Sequence, residues 1–258
     1  MRTTNLFIVF VLLALTVYAQ ETSSDLGPLV TDRPDATESA SVVPKGFLQV
    51  ETGAFYTTFD SNGIKTDDFV LNTTLVRIGL LDNLELRLGW DLLEQSIESP
   101  GNSKSTSTGL VPLLLGTKIS IAEEKNGWPE LAFIGHVRLP FVASNDFRPE
   151  TTGVDFRFSV AHTLNERSSL SYNIGAFWFG DNPEAAYLYT LAYGYSITEK
   201  IGAYVELYGD FPENSKANHL WDAGFTYLVS DNVQLDATVG SGITDGQDIL
   251  LSGGLSFR

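Results

Sequence analysis

The chain has 258 residues, 32 acidic against 16 basic side chains, a net charge of −16 and no cysteine. That acidity excludes nucleic acid as a partner, because the phosphates would be repelled. The missing thiols exclude disulfides, a thiolate metal site, a thiol nucleophile and a lipidated N-terminal cysteine.

Residues 1–19 read as a signal peptide. Arg2 supplies the positive charge, Leu6 to Val17 is an apolar run, and Val17-Tyr18-Ala19 precedes a cut after Ala19. No later stretch reaches the ~18 apolar residues of a membrane helix. Residues 20–44 form a polar segment broken by Pro28, Pro34 and Pro44, with neither helical nor strand periodicity. It holds Thr31-Asp32-Arg33-Pro34-Asp35-Ala36-Thr37-Glu38-Ser39, whose charges suit docking inside a barrel as a lumen plug.

From residue 45 onward the pattern is strand after strand. Leu48, Val50, Ala54 and Tyr56 oppose Gln49, Glu51 and Gly53; Ser61-Asn62-Gly63 then turns the chain. Val70, Val76, Ile78 and Leu80 oppose Arg77 and Gly79. Across the Asp82-Asn83 turn, Leu84, Leu86, Leu88 and Trp90 alternate with Glu85, Arg87, Gly89 and Asp91. Glu94 to Thr108 carries no apolar pattern and reads as a loop. Leu110 to Glu123 reads as one strand, with Gly116 and Lys118 on its polar face. The next two strands put His136 and Arg138, then Asp155 and Arg157, opposite apolar partners. Later strands do the same with Asn173, Thr190, then Glu206 and Asp210, then Asp222, then Asp236, ending in LLSGGLSFR.

The expected fold is all-β: a transmembrane antiparallel up-and-down β-barrel of about 12 strands over residues 45–258. Strands of ~10–13 residues suit a tilted crossing of a bilayer. Short connections at one end and longer ones at the other are the habit of outer-membrane barrels. Aromatics near strand ends, such as Trp90, Trp178, Tyr195 and Trp221, suit interfacial girdles. A soluble β-sandwich fits less well, since its outer face would carry more lysine and glutamate.

The Thr31, Asp32, Arg33, Pro34, Asp35, Thr37, Glu38, Ser39 motif, with Gly116, Lys118 and Arg138-Leu139-Pro140, resembles the phenol-degradation meta-pathway, or transporter-like, outer-membrane protein family. The resemblance implies an outer-membrane barrel concerned with passage of small, aromatic or apolar, molecules. The last strand is similar to the C-terminal signature read by the barrel-assembly machinery, except that Phe257 is penultimate and Arg258 last.

With the apolar faces toward outer-membrane lipid, the alternation turns a set of polar side chains toward a lumen. The acids are Glu51, Glu85, Asp91, Asp155, Glu206, Asp210, Asp222 and Asp236. The bases are Arg77, Arg87, Lys118, Arg138 and Arg157, with His136. They serve as a solute-selecting pore lining or as an internal salt-bridge network. The function expected is a passive channel for small molecules. The alternatives are a structural or surface-binding barrel with a closed lumen, and an outer-membrane lipid hydrolase. The three histidines, His136, His162 and His219, lie on different strands and lack a His-x-Ser spacing, which argues against a hydrolase and against a metal site. No cofactor motif is present.

Overall fold

The computed structural model describes residues 26–61, 63–244 and 246–258. The expected signal peptide and the Asn62 turn residue lie outside them. Thirteen strands follow in chain order: β1 (Leu48–Ser61), β2 (Ile64–Leu81), β3 (Leu84–Glu98), β4 (Ser105–Leu110), β5 (Leu113–Ala122), β6 (Glu130–Leu139) and β7 (Gly153–Asn165), then β8 (Ser168–Trp178), β9 (Ala186–Ser196), β10 (Ile201–Pro212), β11 (Asn218–Ser230), β12 (Val233–Gly242) and β13 (Gln247–Phe257). Each strand pairs antiparallel with its chain neighbours, except that β3 pairs with both β4 and β5. β1 closes the ring on β13, for instance Val50 opposite Phe257. The result is a 12-strand barrel with β4 as a short addition at one rim.

Burial is inside out compared with a soluble domain. Arg77 and Lys118 are 0% exposed, whereas Phe225 is 61% and Ile174 55% exposed. A closed barrel leaves no unpaired sheet edge, so an apolar outer wall can face hydrocarbon without orphaned backbone groups. This is the surface of a membrane-spanning β-barrel. Trp178, Tyr187, Tyr195, Trp221 and Tyr227 lie on the outer face, as girdle residues should. Tight connections follow β2, β7, β9 and β11, and longer ones follow β3, β6 and β10 at the opposite rim. By this asymmetry the tight turns face the periplasm.

Two sequence-based expectations need correction. The stretch from Glu94 to Thr108 is not a loop: β3 continues to Glu98, and Leu92–Ile97 pair with Ser105–Leu110. Most of its residues are polar, so no apolar alternation marks it. Leu110 to Glu123 is accordingly two strands, β4 and β5, broken at Val111-Pro112, where proline removes a ladder donor. The second correction concerns Val70. Leu71 has no partner in either β1 or β3, a bulge that reverses the facing of everything before it. Val70 therefore pairs with Phe55 and Leu93 on the inner face, while Phe69 meets Tyr56 outside.

Candidate functional site: the barrel lumen

Residues 26–44 run inside the barrel. The segment enters at the tight-turn rim, where Leu29 N–H donates to Asp231 O and Arg258 Nη2 donates to Gly27 O. It leaves at the same rim, where Gly46 N–H reaches Gly79 O. Between these points the motif touches strand after strand. Thr31 Oγ1 accepts from Gln234 Nε2 at 2.9 Å. Arg33 pairs with Asp236 at 3.0 Å and lies over the Phe55 ring at 5.0 Å. Ala36 N–H donates to Glu206 at 2.7 Å, and the Thr37 hydroxyl bonds both Glu206 and Thr190. Glu38 N–H donates to Asn173 Oδ1 at 2.8 Å, and Ser41 Oγ donates to Glu130 at 3.0 Å. Pro34 follows a cis peptide.

The barrel makes room for this segment with glycine. Gly53 and Gly254 face each other across the β1–β13 ladder, and a Cβ on either would occupy the Arg33 guanidinium. A Cβ on Gly79 would collide with the carbonyls of Val43 and Pro44. These positions show why glycine interrupts the inner faces here: a second chain passes against the wall.

The segment's charges meet a cationic wall on β2, β3 and β5. Arg77 reaches Glu51 and Glu85 at 2.9 Å each and Asp32 at 3.3 Å. Arg87 reaches Asp32 at 2.7 Å, Glu38 at 2.6 Å and Glu85 at 2.9 Å. Lys118 Nζ bonds Asp32 at 2.8 Å. Ser39 caps the same carboxylate, its N–H donating to Asp32 Oδ1 at 2.9 Å. Charges buried this deeply persist only when partnered, and the motif supplies the partners that the strands lack. The opposite wall is acidic. Glu206 and Asp222 are directly opposed across β10 and β11, and Asp35 lies within electrostatic reach of both. Among the described residues Asp222 Oδ1 has no hydrogen-bond partner.

The remaining alternation-derived candidates lie higher, toward the long-loop rim. His136 Nδ1 bonds Asp155 at 2.8 Å; Arg138 and Arg157 flank the same carboxylate at 3.6 and 3.8 Å. Asp91 lines a cavity with Arg87, Arg138 and Arg157. Asp210 shares the inner face with Leu188 and bonds Asn218 Nδ2 at 3.2 Å. His162 and His219 are not in the lumen: on the outer face His162 stacks on Tyr172, and His219 Nδ1 hydrogen-bonds the Tyr189 hydroxyl at 2.8 Å. No group of three metal-ligating side chains occurs among the described residues.

What strict alternation missed is a set of apolar inner residues. By register, Phe55, Leu75, Leu114, Phe177, Leu188, Leu220 and Leu250 all share the inner face, interleaved with charged groups: Leu114 stands opposite Arg138, Phe177 opposite Asp155 and Leu188 opposite Asp210. The signal was present in apolar triplets with no polar alternate, such as Leu113-Leu114-Leu115, Phe177-Trp178-Phe179 and Ile249-Leu250-Leu251.

Comparison with known proteins places the chain among relatives. The profile of the family described as "Putative MetA-pathway of phenol degradation" matches residues 31–258. The chain belongs to that family. The match begins at Thr31, the first residue of the motif within the lumen. Among solved structures, an outer membrane channel from Pseudomonas putida F1 is similar over 87% of this chain and 99% of its own, at 13% identity and a TM-score of 0.65. The translocator domain of the autotransporter NalP from Neisseria meningitidis aligns over 82% of this chain and 88% of its own, at 9% identity and a TM-score of 0.53. The transport unit of the autotransporter AIDA-I from Escherichia coli aligns over 82% and 89%, at 8% identity and 0.53. At such identities the likeness is one of fold. No curated protein matches the chain in sequence.

Proposed function

We propose that this protein is a passive outer-membrane channel for small molecules, with its own residues 26–44 acting as a plug. One observation carries the reading. The wide interior that a 12-strand ring creates is occupied in its periplasmic half by a separable chain segment, held by hydrogen bonds and ion pairs to the wall. A barrel built to stay closed can fill its interior with side chains fixed to the strands. A polar segment tethered at one end can leave without breaking the ladder. The inner wall above it combines charged groups with Leu75, Leu114, Phe177, Leu188, Leu220 and Leu250, so the route suits solutes with both polar and apolar parts. The polar lumen side chains serve as the lining, outer-membrane lipid covers the wall, and the C-terminal strand is the handle for barrel assembly.

The chain's lack of cysteine makes a staple test clean. Thr37 and Thr190 touch through their hydroxyls at 2.6 Å, so a T37C/T190C pair is placed for a disulfide. Oxidised protein in liposomes should admit small sugars and amino acids more slowly than the reduced form, and reductant should restore entry. Equal swelling rates in both states would favour a permanently closed structural barrel.

A further inference from the structure

We infer that the cavity above the plug, between Arg138 and Arg157, binds a small monocarboxylate with an apolar body. The cavity measures about 170 Å³ and is lined by Glu38, Arg87, His136, Arg138 and Arg157 with Leu75 and Leu114. A cavity of roughly 150 Å³ can hold a benzene-sized guest.

Three donors beside it lack partners. The Nε atoms of Arg87, Arg138 and Arg157 are buried and have no hydrogen-bond partner among the described residues. Arg157 meets carboxylates only at 3.5 Å (Glu38) and 3.8 Å (Asp155), and Arg138 meets Asp155 at 3.6 Å. A well-formed guanidinium–carboxylate contact is about 2.7–2.9 Å, so these pairs leave donor capacity for an incoming oxygen. His136 is oriented differently: Asp155 accepts from its Nδ1–H at 2.8 Å, so in the neutral ring the buried Nε2 is an acceptor and not a donor for the ligand. Gly116 permits this placement, because a Cβ there would occupy the imidazole ring.

The class of ligand follows from charge and shape. The Nη atoms of Arg87 are matched by Asp32, Glu38 and Glu85 at 2.6–2.9 Å, while its Nε is not. Around the cavity three arginines, Arg87, Arg138 and Arg157, stand against three carboxylates, Glu38, Asp91 and Asp155. That balance opposes a dianion such as phosphate more than a single negative charge. A carboxylate fits the flat guanidinium fork, and Leu75 and Leu114 offer an apolar wall to the rest of the molecule. Arg138 is held in place by the Phe179 ring, 4.6 Å from its Cζ.

The inference rests on the channel reading only in treating the carboxylate as cargo; the binding itself does not require conduction. The probe is benzoate, titrated calorimetrically into the full-length barrel in detergent, with benzamide as the neutral control. Benzoate should bind saturably and benzamide should not. R157Q and, separately, R138Q should each weaken benzoate about tenfold or more, the size of a lost charged hydrogen bond, while the barrel stays folded by gel heat-modifiability. Equal binding of the two probes, no saturable binding, or unchanged affinity in both variants would overturn the site. A barrel that conducts but does not bind benzoate refutes this inference alone; one that binds but never conducts refutes the channel reading alone.

Discussion

Asp32 has more cationic partners than any other plug residue. Its carboxylate faces Lys118 at 2.8 Å, Arg87 at 2.7 Å and Arg77 at 3.3 Å, and all four side chains are nearly or wholly buried. Removing it strands three cations beside Glu51, Glu85 and Glu38 alone. Breaking a buried pair costs about 3–5 kcal/mol, and the strained groups recover hydration only if the segment leaves. Asp32→Ala should therefore expose the plug. In a T37C background, whose position is buried in the native barrel, the D32A change should raise the rate of maleimide labelling about 100-fold, if labelling follows local opening. An unchanged rate would show that Asp32 does not hold the segment. Much of this chemistry was legible in the residue types: alternation turned Arg77, Glu85, Arg87 and Lys118 to one face, and the motif stood out by its charge. Which charge meets which was not legible. Arg33 and Asp236 are 203 positions apart, and a period-two pattern carries no information about contacts across a lumen.

Between strands, legibility depended on which solvent each face meets. Where one face is lipid and the other is the charged belt, alternation is strict and the elements could be read off β3, β7 or β12. It failed at Leu71, where one extra residue reverses the facing, and over Glu94 to Thr108, where most residues of the hairpin are polar. It also failed where the inner face carries apolar residues. The long-loop rim shows local chemistry of another kind. Asp181, in the connection after β8, accepts the backbone N–H groups of Glu150 and Thr151 at 2.9 Å each. These bonds favour its ionised form and hold its pKa below the usual aspartate value. A depressed folded-state pKa means the clasp is complete above the free-aspartate pKa of ~3.9 and is lost as pH falls through the lower folded value. The Glu150 and Thr151 amide resonances should titrate together with a midpoint below that of a free aspartate. A midpoint at or above it would remove the clasp from the account.

At the scale of the whole molecule, the fold inverts the usual distribution of polar and apolar groups. The lipid-facing wall needs only a greasy surface and a closed ladder. The interior gathers many buried charges, and the strands alone do not neutralise them. Closure at twelve strands leaves too much space for side chains to fill, and the N-terminal segment occupies it while completing the ion pairs on β2, β3, β5 and β12. The central claim is that this occupancy is what stops the channel. Planar-bilayer conductance of the refolded mature protein, with and without residues 20–44, tests it most directly. The account predicts low or intermittent current with the segment present and steady, larger current after its deletion. Absence of conductance in both forms, with the truncated barrel still folded, would contradict it.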